Sequence, residues 1–195
     1  MLKRLFDIIF SFFGLVLLFP ILLFISILIV IDSSGGIFYF QKRVGRGSID
    51  FRLFKFRTMV TDADKKGLLT VGSKDNRITK IGYYLRKYKL DELPQLLNVL
   101  IGDMSLVGPR PEVRKYVKLY NENQMRVLNV KPGITDLASI RFINENEILE
   151  GYENPEEAYV NEIMPLKLKI NLEYNSKANL ITDIKIIFQT ILKII

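Results

Sequence analysis

The pattern of apolar and polar positions divides the chain before any single residue is considered. Residues 8–31 form 24 consecutive positions without a charge. As a straight helix that run measures roughly 36 Å, enough to span a bilayer. Asp7 opens it, Asp32 closes it, and Pro20 stands near its middle, where a proline removes a backbone hydrogen bond and kinks a helix. The SSGG hinge at 33–36 follows. IFYFQKRVGRG then predicts a strand running into a glycine-rich turn. FRLFKFRTM, at 51–59, predicts a second strand with Lys55 and Arg57 on one face. Residues 60–80 are polar and read as loop or short helix. Leu90, Leu93, Leu96, Leu97, Leu100 and Ile101 recur at helical spacing until Gly102 stops the pattern. GDMSLVGPRPE reads as extended, VRKYVKLYNENQMRVL as helical, VKPGITDLASIRF as turn then strand, and residues 166–174 as helical. In the tail, LITDIKIIFQTILKII, Lys185, Gln189 and Lys193 recur every four residues and apolar residues fill most of the remaining circumference. That pattern suits an interfacial helix, or an ordinary packed C-terminal one.

Charge changes the reading of the apolar run. Lys3 and Arg4 precede it, and Lys42, Arg43 and Arg46 follow. The positive-inside rule wants both flanks cytoplasmic, which a single span cannot deliver. A helix broken near Pro20 that dips in and returns can. A kinked single-span anchor stays open, and a buried core helix fits poorly because the segment has no polar face. Over the whole chain there are 28 Lys plus Arg against 21 Asp plus Glu, a net charge of +7. Residues 144–162 hold seven Glu and no Lys or Arg, so the remainder carries 28 basic and 14 acidic residues, a net of +14. Such a balance favours an anionic partner: phosphate, lipid headgroup or nucleic acid. The 195 residues are enough for one domain with a real core. There is no Cys and no His, which excludes disulfides, thiolate nucleophiles, zinc ribbons and histidine bases.

Chemistry must therefore come from other side chains. In YKLDELPQLLNV, residues 88–99, Asp91 and Glu92 sit at the head of an apolar run, with Pro94 just after and Arg86, Lys87 and Lys89 just before. If a helix starts here, Asp91 lies near its N-cap and Pro94 in its first turn. A cap is one complete reading. The other uses the same geometry, since a helix N-terminus keeps a carboxylate ionised, hence nucleophilic or metal-binding. In GPRPE, Pro109 and Pro111 stiffen the chain around Arg110 and present its guanidinium at low entropic cost, suited to phosphate or carboxylate. A rigid loop with a solvated arginine is the plainer alternative. Lys55 and Arg57 make a second, weaker cationic pair. The acidic stretch at 145–157 reads as solvated surface without chemistry.

Taken together, KRLFDIIFS, Pro20, FQKRVGR, FKFRTM, LRKYKLDELPQLLNVLIGDMSLVGPRPE and KPGIT closely resemble the bacterial sugar transferases that work as monotopic polyprenyl-phosphate phosphoglycosyl transferases. The likeness runs from about residue 3 to residue 135, and more loosely to the tail. It implies an α+β, mostly helical small domain: a re-entrant helix–break–helix segment at 1–35 broken at Pro20, a catalytic domain at 36–179 on the cytosolic face, and an amphipathic membrane-surface helix at 180–195. Such proteins sit monotopically on the bacterial inner membrane. They transfer a sugar-1-phosphate from a UDP-sugar to polyprenyl (undecaprenyl) phosphate and release UMP, the first membrane step of polysaccharide, O-antigen or glycoprotein-glycan assembly. The resemblance makes Asp91 the nucleophile, with an aspartyl phosphosugar intermediate. It puts Glu92 beside Asp91 as catalytic partner, gives both to a required Mg²⁺, and puts Lys55, Arg57, Arg86 and Arg110, with Pro109 and Pro111, near the phosphates. Membrane lipids are partners and nucleic acid is not; a homodimer stays open. Where many members carry a Gly, a Trp and an Asn-Gly-Arg-Asn run after KPGIT, this chain reads DLASIRFINENEIL, so the resemblance names no sugar. Two other classes remain as comparators. A non-catalytic membrane-anchored anion-binding protein needs neither the acidic pair nor Mg²⁺. A membrane glycosyltransferase would release UDP.

Overall fold

Helix α1, Leu2–Asp32, stays helical through Pro20. At 1.5 Å per residue it is roughly 46 Å long if straight. In the computed structural model, which describes residues 2–63 and 75–194, the division expected at Pro20 is not seen in the secondary structure. A proline removes one N–H from the helical ladder, and the apolar residues on both sides keep the helix going.

Both ends of α1 are fastened to the same globular body. Near its start, Arg4 donates to Val99 O (2.6 Å) and Leu100 O (2.9 Å), carbonyls of the last turn of α3 (Gln95–Ile101). A cation there satisfies orphan carbonyls and meets the negative end of the helix dipole. Buried Asp7 accepts from Ser105 Oγ (3.1 Å) and Leu106 N (3.0 Å) on β3 (Ser105–Val107). Halfway along, Gly14 faces Leu96. At the far end, Ile25 and Ile29 pack with Phe56 and Leu85. Asp32 accepts from Ile81 N (2.9 Å) in the first turn of α2 (Lys80–Lys87). The other side of α1 leaves Phe10, Phe13, Leu17, Phe24 and Val30 exposed.

The two predicted strands form a hairpin. β1 (Phe38–Val44) and β2 (Asp50–Phe56) pair antiparallel, from Phe38 opposite Phe56 to Val44 opposite Asp50. A second, parallel pair joins β3 to β4 (Gly133–Thr135), with Ser105 opposite Gly133 and Val107 opposite Thr135. This pair brings the GPRPE and KPGIT loops together. A Cβ on Gly133 would lie 2.1 Å from Gly108 N, so only a glycine allows the approach. Gly133 N then donates to Pro109 O (3.0 Å) and Gly108 N to Thr135 O (3.1 Å).

The rest is helical, which bears out a mostly helical chain with small sheets. Helices α4 (Arg114–Val117) and α5 (Glu122–Met125) replace the single helix expected over VRKYVKLYNENQMRVL. Asn121 accepts from Gln124 N and starts a new helix with a capping box. DLASIRF was expected as strand and is helix α6 (Leu137–Arg141): Asp136 caps it, accepting from Ser139 N and Ser139 Oγ, both at 2.8 Å. The acidic stretch folds as α7 (Glu145–Glu150), α8 (Pro155–Ala158) and a π-turn (Tyr159–Ile163) that leads into α9 (Met164–Lys177). Leu149, Tyr159, Met164 and Leu168 share one core there with Val113 and Tyr116. Of the polar segment expected as loop or short helix, residues 64–74 lie outside the described residues; beside them Met59 bridges to Ile78.

Helix α10 (Leu180–Ile194) is the helix the tail's spacing predicted, packed on one side. One side is packed: Ile186 and Asp183 are buried, Asp183 takes Lys3 and Tyr174 as partners, and Thr190 Oγ1 meets Thr135 Oγ1 at 2.6 Å. The other side leaves Ile181, Ile184, Phe188 and Leu192 exposed.

Candidate active site

The chain reverses at Lys89, which takes a left-handed conformation (φ 56°) after α2. A 3₁₀ turn, Leu90–Glu92, follows, and α3 begins at Gln95 after Pro94. Asp91 is therefore not the helix cap that its spacing suggested. It sits one turn earlier, and no side chain caps α3. The turn aims both carboxylates into a cleft of about 1080 Å³.

The two acids have different surroundings. Glu92 is clamped: Lys55 Nζ lies 2.9 Å from Oε1, and Arg110 binds both oxygens, Nη1 at 3.1 Å from Oε2 and Nη2 on Oε1. Asp91, only 8% exposed, has no hydrogen bond or ion pair among the described residues. Burial pushes Glu92 up, but Arg110 and Lys55 outweigh it and hold its carboxyl well below the usual range. Burial raises Asp91 and neighbouring Glu92 adds to the rise, while Lys55, Arg86 and Lys89 pull the other way. Burial lowers Lys55 against the pull of Glu92 and Asp91, and Glu92 raises Arg110. One acid is fixed and anionic. The other is uncommitted, and burial raises its carboxyl, opposite to the lowering expected of a helix N-terminus.

Arg110 is held from behind. Arg43 Nη1 donates to Pro111 O (3.0 Å) and Glu112 Oε1 (3.1 Å), and Tyr159 on the π-turn donates to Glu112 Oε2. Glu112 Oε1 also takes Val113 N at 2.7 Å. The loop carrying Arg110 is thus locked on both sides, and Pro109 is tied to Gly133. Arg86, at the end of α2, lines the cleft.

Arg57 does not join Lys55 in a cationic pair. Its guanidinium gathers the chain leaving α1, donating to Ser33 O (2.8 Å), Ser34 O (2.8 Å) and Gly36 O (2.6 Å). These carbonyls follow the C-terminus of α1, where a cation meets the negative end of the helix dipole. Sequence reasoning missed Arg43, Tyr159, Glu145 and Lys167, which all line the cleft. Arg43 stood in plain view in FQKRVGR. Glu145 lay in the stretch read as solvated surface and Tyr159 just beyond it, and Glu145 pairs with Lys167.

Among the described residues, no group of three or more Asp or Glu could cage a metal. Asp91 and Glu92 are the carboxylates at the centre.

The model of the bacterial sugar transferase family matches residues 1–195. The chain is 35% identical over 192 residues to the UDP-N-acetylgalactosamine-undecaprenyl-phosphate N-acetylgalactosaminephosphotransferase of Aeromonas hydrophila, covering 97% of this chain and 42% of that protein. It is 35% identical over 197 residues to the UDP-glucose:undecaprenyl-phosphate glucose-1-phosphate transferase of Escherichia coli (strain K12), covering 99% of this chain and 40% of that protein. With the exopolysaccharide production protein PSS of Rhizobium leguminosarum bv. phaseoli it shares 37% identity over 198 residues, 97% of this chain and 93% of that protein. The chain thus spans less than half the length of the first two relatives and nearly all of the third. A match over its whole length, around a cleft built from the motifs DELPQ and GPRPE, makes the chain a member of the bacterial sugar transferase family.

Proposed function

We propose that the chain transfers a sugar-1-phosphate from a UDP-sugar to undecaprenyl phosphate at the membrane, releasing UMP, with Asp91 as the covalent nucleophile. The observation that carries this reading is the asymmetry of the acidic pair: Glu92 is held by two cations, and Asp91 faces the same cleft uncommitted. The relatives' names supply the substrate classes.

In the first step an Asp91 oxygen attacks the phosphorus bonded to the sugar. The bond from that phosphorus to the bridging oxygen breaks, and UMP leaves with the oxygen. In the second step an oxygen of undecaprenyl phosphate attacks the same phosphorus, and the aspartyl–phosphorus bond breaks to restore Asp91. Lys55 and Arg110 offset the phosphate charge, and Glu92 fixes both. A Mg²⁺ ion fits this donor set, since it favours few carboxylates plus substrate phosphates. Asp91 has free oxygens for it, while those of Glu92 are taken by Lys55 and Arg110. When bound, it would neutralise phosphate charge. Release of UMP, dependent on added undecaprenyl phosphate, from one of a panel of UDP-sugars tests the proposal. UDP as the product, or no nucleotide release from any donor, would contradict it.

The anchoring of α1 supports a monotopic arrangement on the cytoplasmic face. A spanning helix cannot keep Arg4 and Asp32 on one globular body without drawing that body through the bilayer. Exposed apolar faces of α1 and α10 then lie in the membrane. Cysteines introduced at Lys3 and Ser33 should be labelled from the same side. Labelling from opposite sides would refute the arrangement.

The acid limb of activity should follow Asp91, whose carboxyl is raised by burial and restrained by Lys55. The anion attacks, so activity falls as pH drops through that pKa. Lys55→Met removes a charge that favours the anion and should move the limb of kcat/KM to higher pH. An unmoved limb would assign it to another group.

A further inference from the structure

We infer that the end of the cleft beyond Arg110 binds the sugar of the donor, and that the Lys167–Glu145 pair on its wall reads the sugar's hydroxyl groups. The inference rests on the donor being a nucleotide sugar, as proposed above.

The cleft has three kinds of wall. Around Asp91 it is cationic, with Lys55, Arg86, Lys89 and Arg110. Toward α1 and α10 it is apolar, with Gly14, Leu18, Leu96 and Ile191. Toward α6, α7 and α9 it is mixed, with Ile140, Met164 and Leu168 beside a charge-balanced pair. There Lys167 pairs with Glu145, their side chains only 14% and 25% exposed. Lys167 Nζ stands 5.8 Å from the centroid of the Tyr159 ring. Tyr159 in turn holds Glu112, two residues from Arg110, so this wall adjoins the arginine. Glu145 also acts electrostatically on Arg110.

One helical turn along α9 from Lys167, on the same face, Asn171 also lines the cleft. It is 4% exposed, and its Oδ1 has no partner among the described residues. Buried acceptors are nearly always paired. An acceptor left without a partner beside a cleft is a place for a ligand donor or a bridging water.

A balanced pair does not draw a phosphate as Lys55 and Arg110 do. It suits vicinal hydroxyls, each both donor and acceptor: one donates to the carboxylate while its neighbour accepts from the ammonium. A uracil edge offers a single N–H between two carbonyls and needs no fixed charge. The sugar is bonded directly to the phosphorus that Asp91 attacks, so it must lie beside Asp91 and Arg110, where this wall begins.

Lys167→Met keeps the aliphatic stem and removes the charge; Glu145→Gln keeps the shape. Calorimetry on the full chain in nanodiscs, with Asp91→Asn in every sample so that no adduct forms, and with UDP-N-acetylgalactosamine, UDP-glucose and UDP alone, separates the sugar from the nucleotide; wild type here means wild type at Glu145 and Lys167. Each variant should weaken the preferred UDP-sugar by about tenfold, change the ratio between the two sugars, and leave UDP within about twofold of wild type. Equal weakening of UDP and the UDP-sugars would assign the wall to the nucleoside and overturn the inference. Variants that bind all three ligands as wild type does would overturn it as well. A wild type that binds no UDP-sugar would instead sink the donor reading itself, and this inference with it.

Discussion

Asp91→Asn should fold as wild type, remain in the membrane fraction and lose turnover by a factor on the order of 10⁴ or more, the scale seen when a covalent nucleophile is removed. The substitution keeps size and shape and removes only the anion. Its structural cost should be small, because Asp91 makes no hydrogen bond or ion pair among the described residues and caps no helix. A cap residue would have lost stability; here thermal stability should stay near wild type. Removing a buried carboxylate with a raised pKa relieves the burial of a charge, so any stability change at neutral pH should favour the variant. A variant that keeps a tenth of its activity would show that the reaction proceeds without a bond to Asp91.

Arg110→Ala should lower kcat/KM for the UDP-sugar by roughly 10- to 150-fold, the loss of one charge-assisted contact worth about 1.5–3 kcal/mol. The geometry adds a second consequence. Arg110 meets Glu92 through two nitrogens on two oxygens, a fork that lysine cannot reproduce. Arg110→Lys should therefore rescue only in part, and normal kinetics in that variant would refute the bidentate role. Without Arg110, Glu92 keeps Lys55 alone, and its carboxyl rises toward the value that burial favours.

Elements with a strong local pattern were legible in the sequence. The apolar run gave α1, the alternating aromatics gave the hairpin, and the leucine periodicity gave α3 up to Gly102, which is left-handed at φ 104° as such a stop requires. The helix of the tail also read correctly because its polar positions repeat along one face. Elements fixed by side chain–backbone bonds were harder to see. The Asp136 to Ser139 spacing carried a cap signal that outweighed the strand-like look of DLASIRF.

For the site, Asp91, Glu92, Lys55, Arg86 and Arg110 were legible, and the cleft brings them together. Arg57 also lines the cleft, but strand spacing said nothing about the carbonyls after α1 that hold its guanidinium. Glu145 was misread because a run of glutamates looks solvated until tertiary packing pairs one of them with Lys167, and Tyr159, just beyond the run, gave no signal. The opposite surroundings of Asp91 and Glu92 depend on the left-handed turn at Lys89, for which adjacent residues gave no signal.

The central claim is a bond between Asp91 and the sugar-linked phosphorus. Wild-type protein incubated with labelled UDP-sugar and Mg²⁺, without lipid acceptor, should release UMP and retain sugar phosphate on the protein. Peptide mapping should find the label on Asp91, and adding undecaprenyl phosphate should discharge it to lipid. Label on Glu92, no adduct under any trapping condition, or kinetics that require both substrates bound at once would contradict the account.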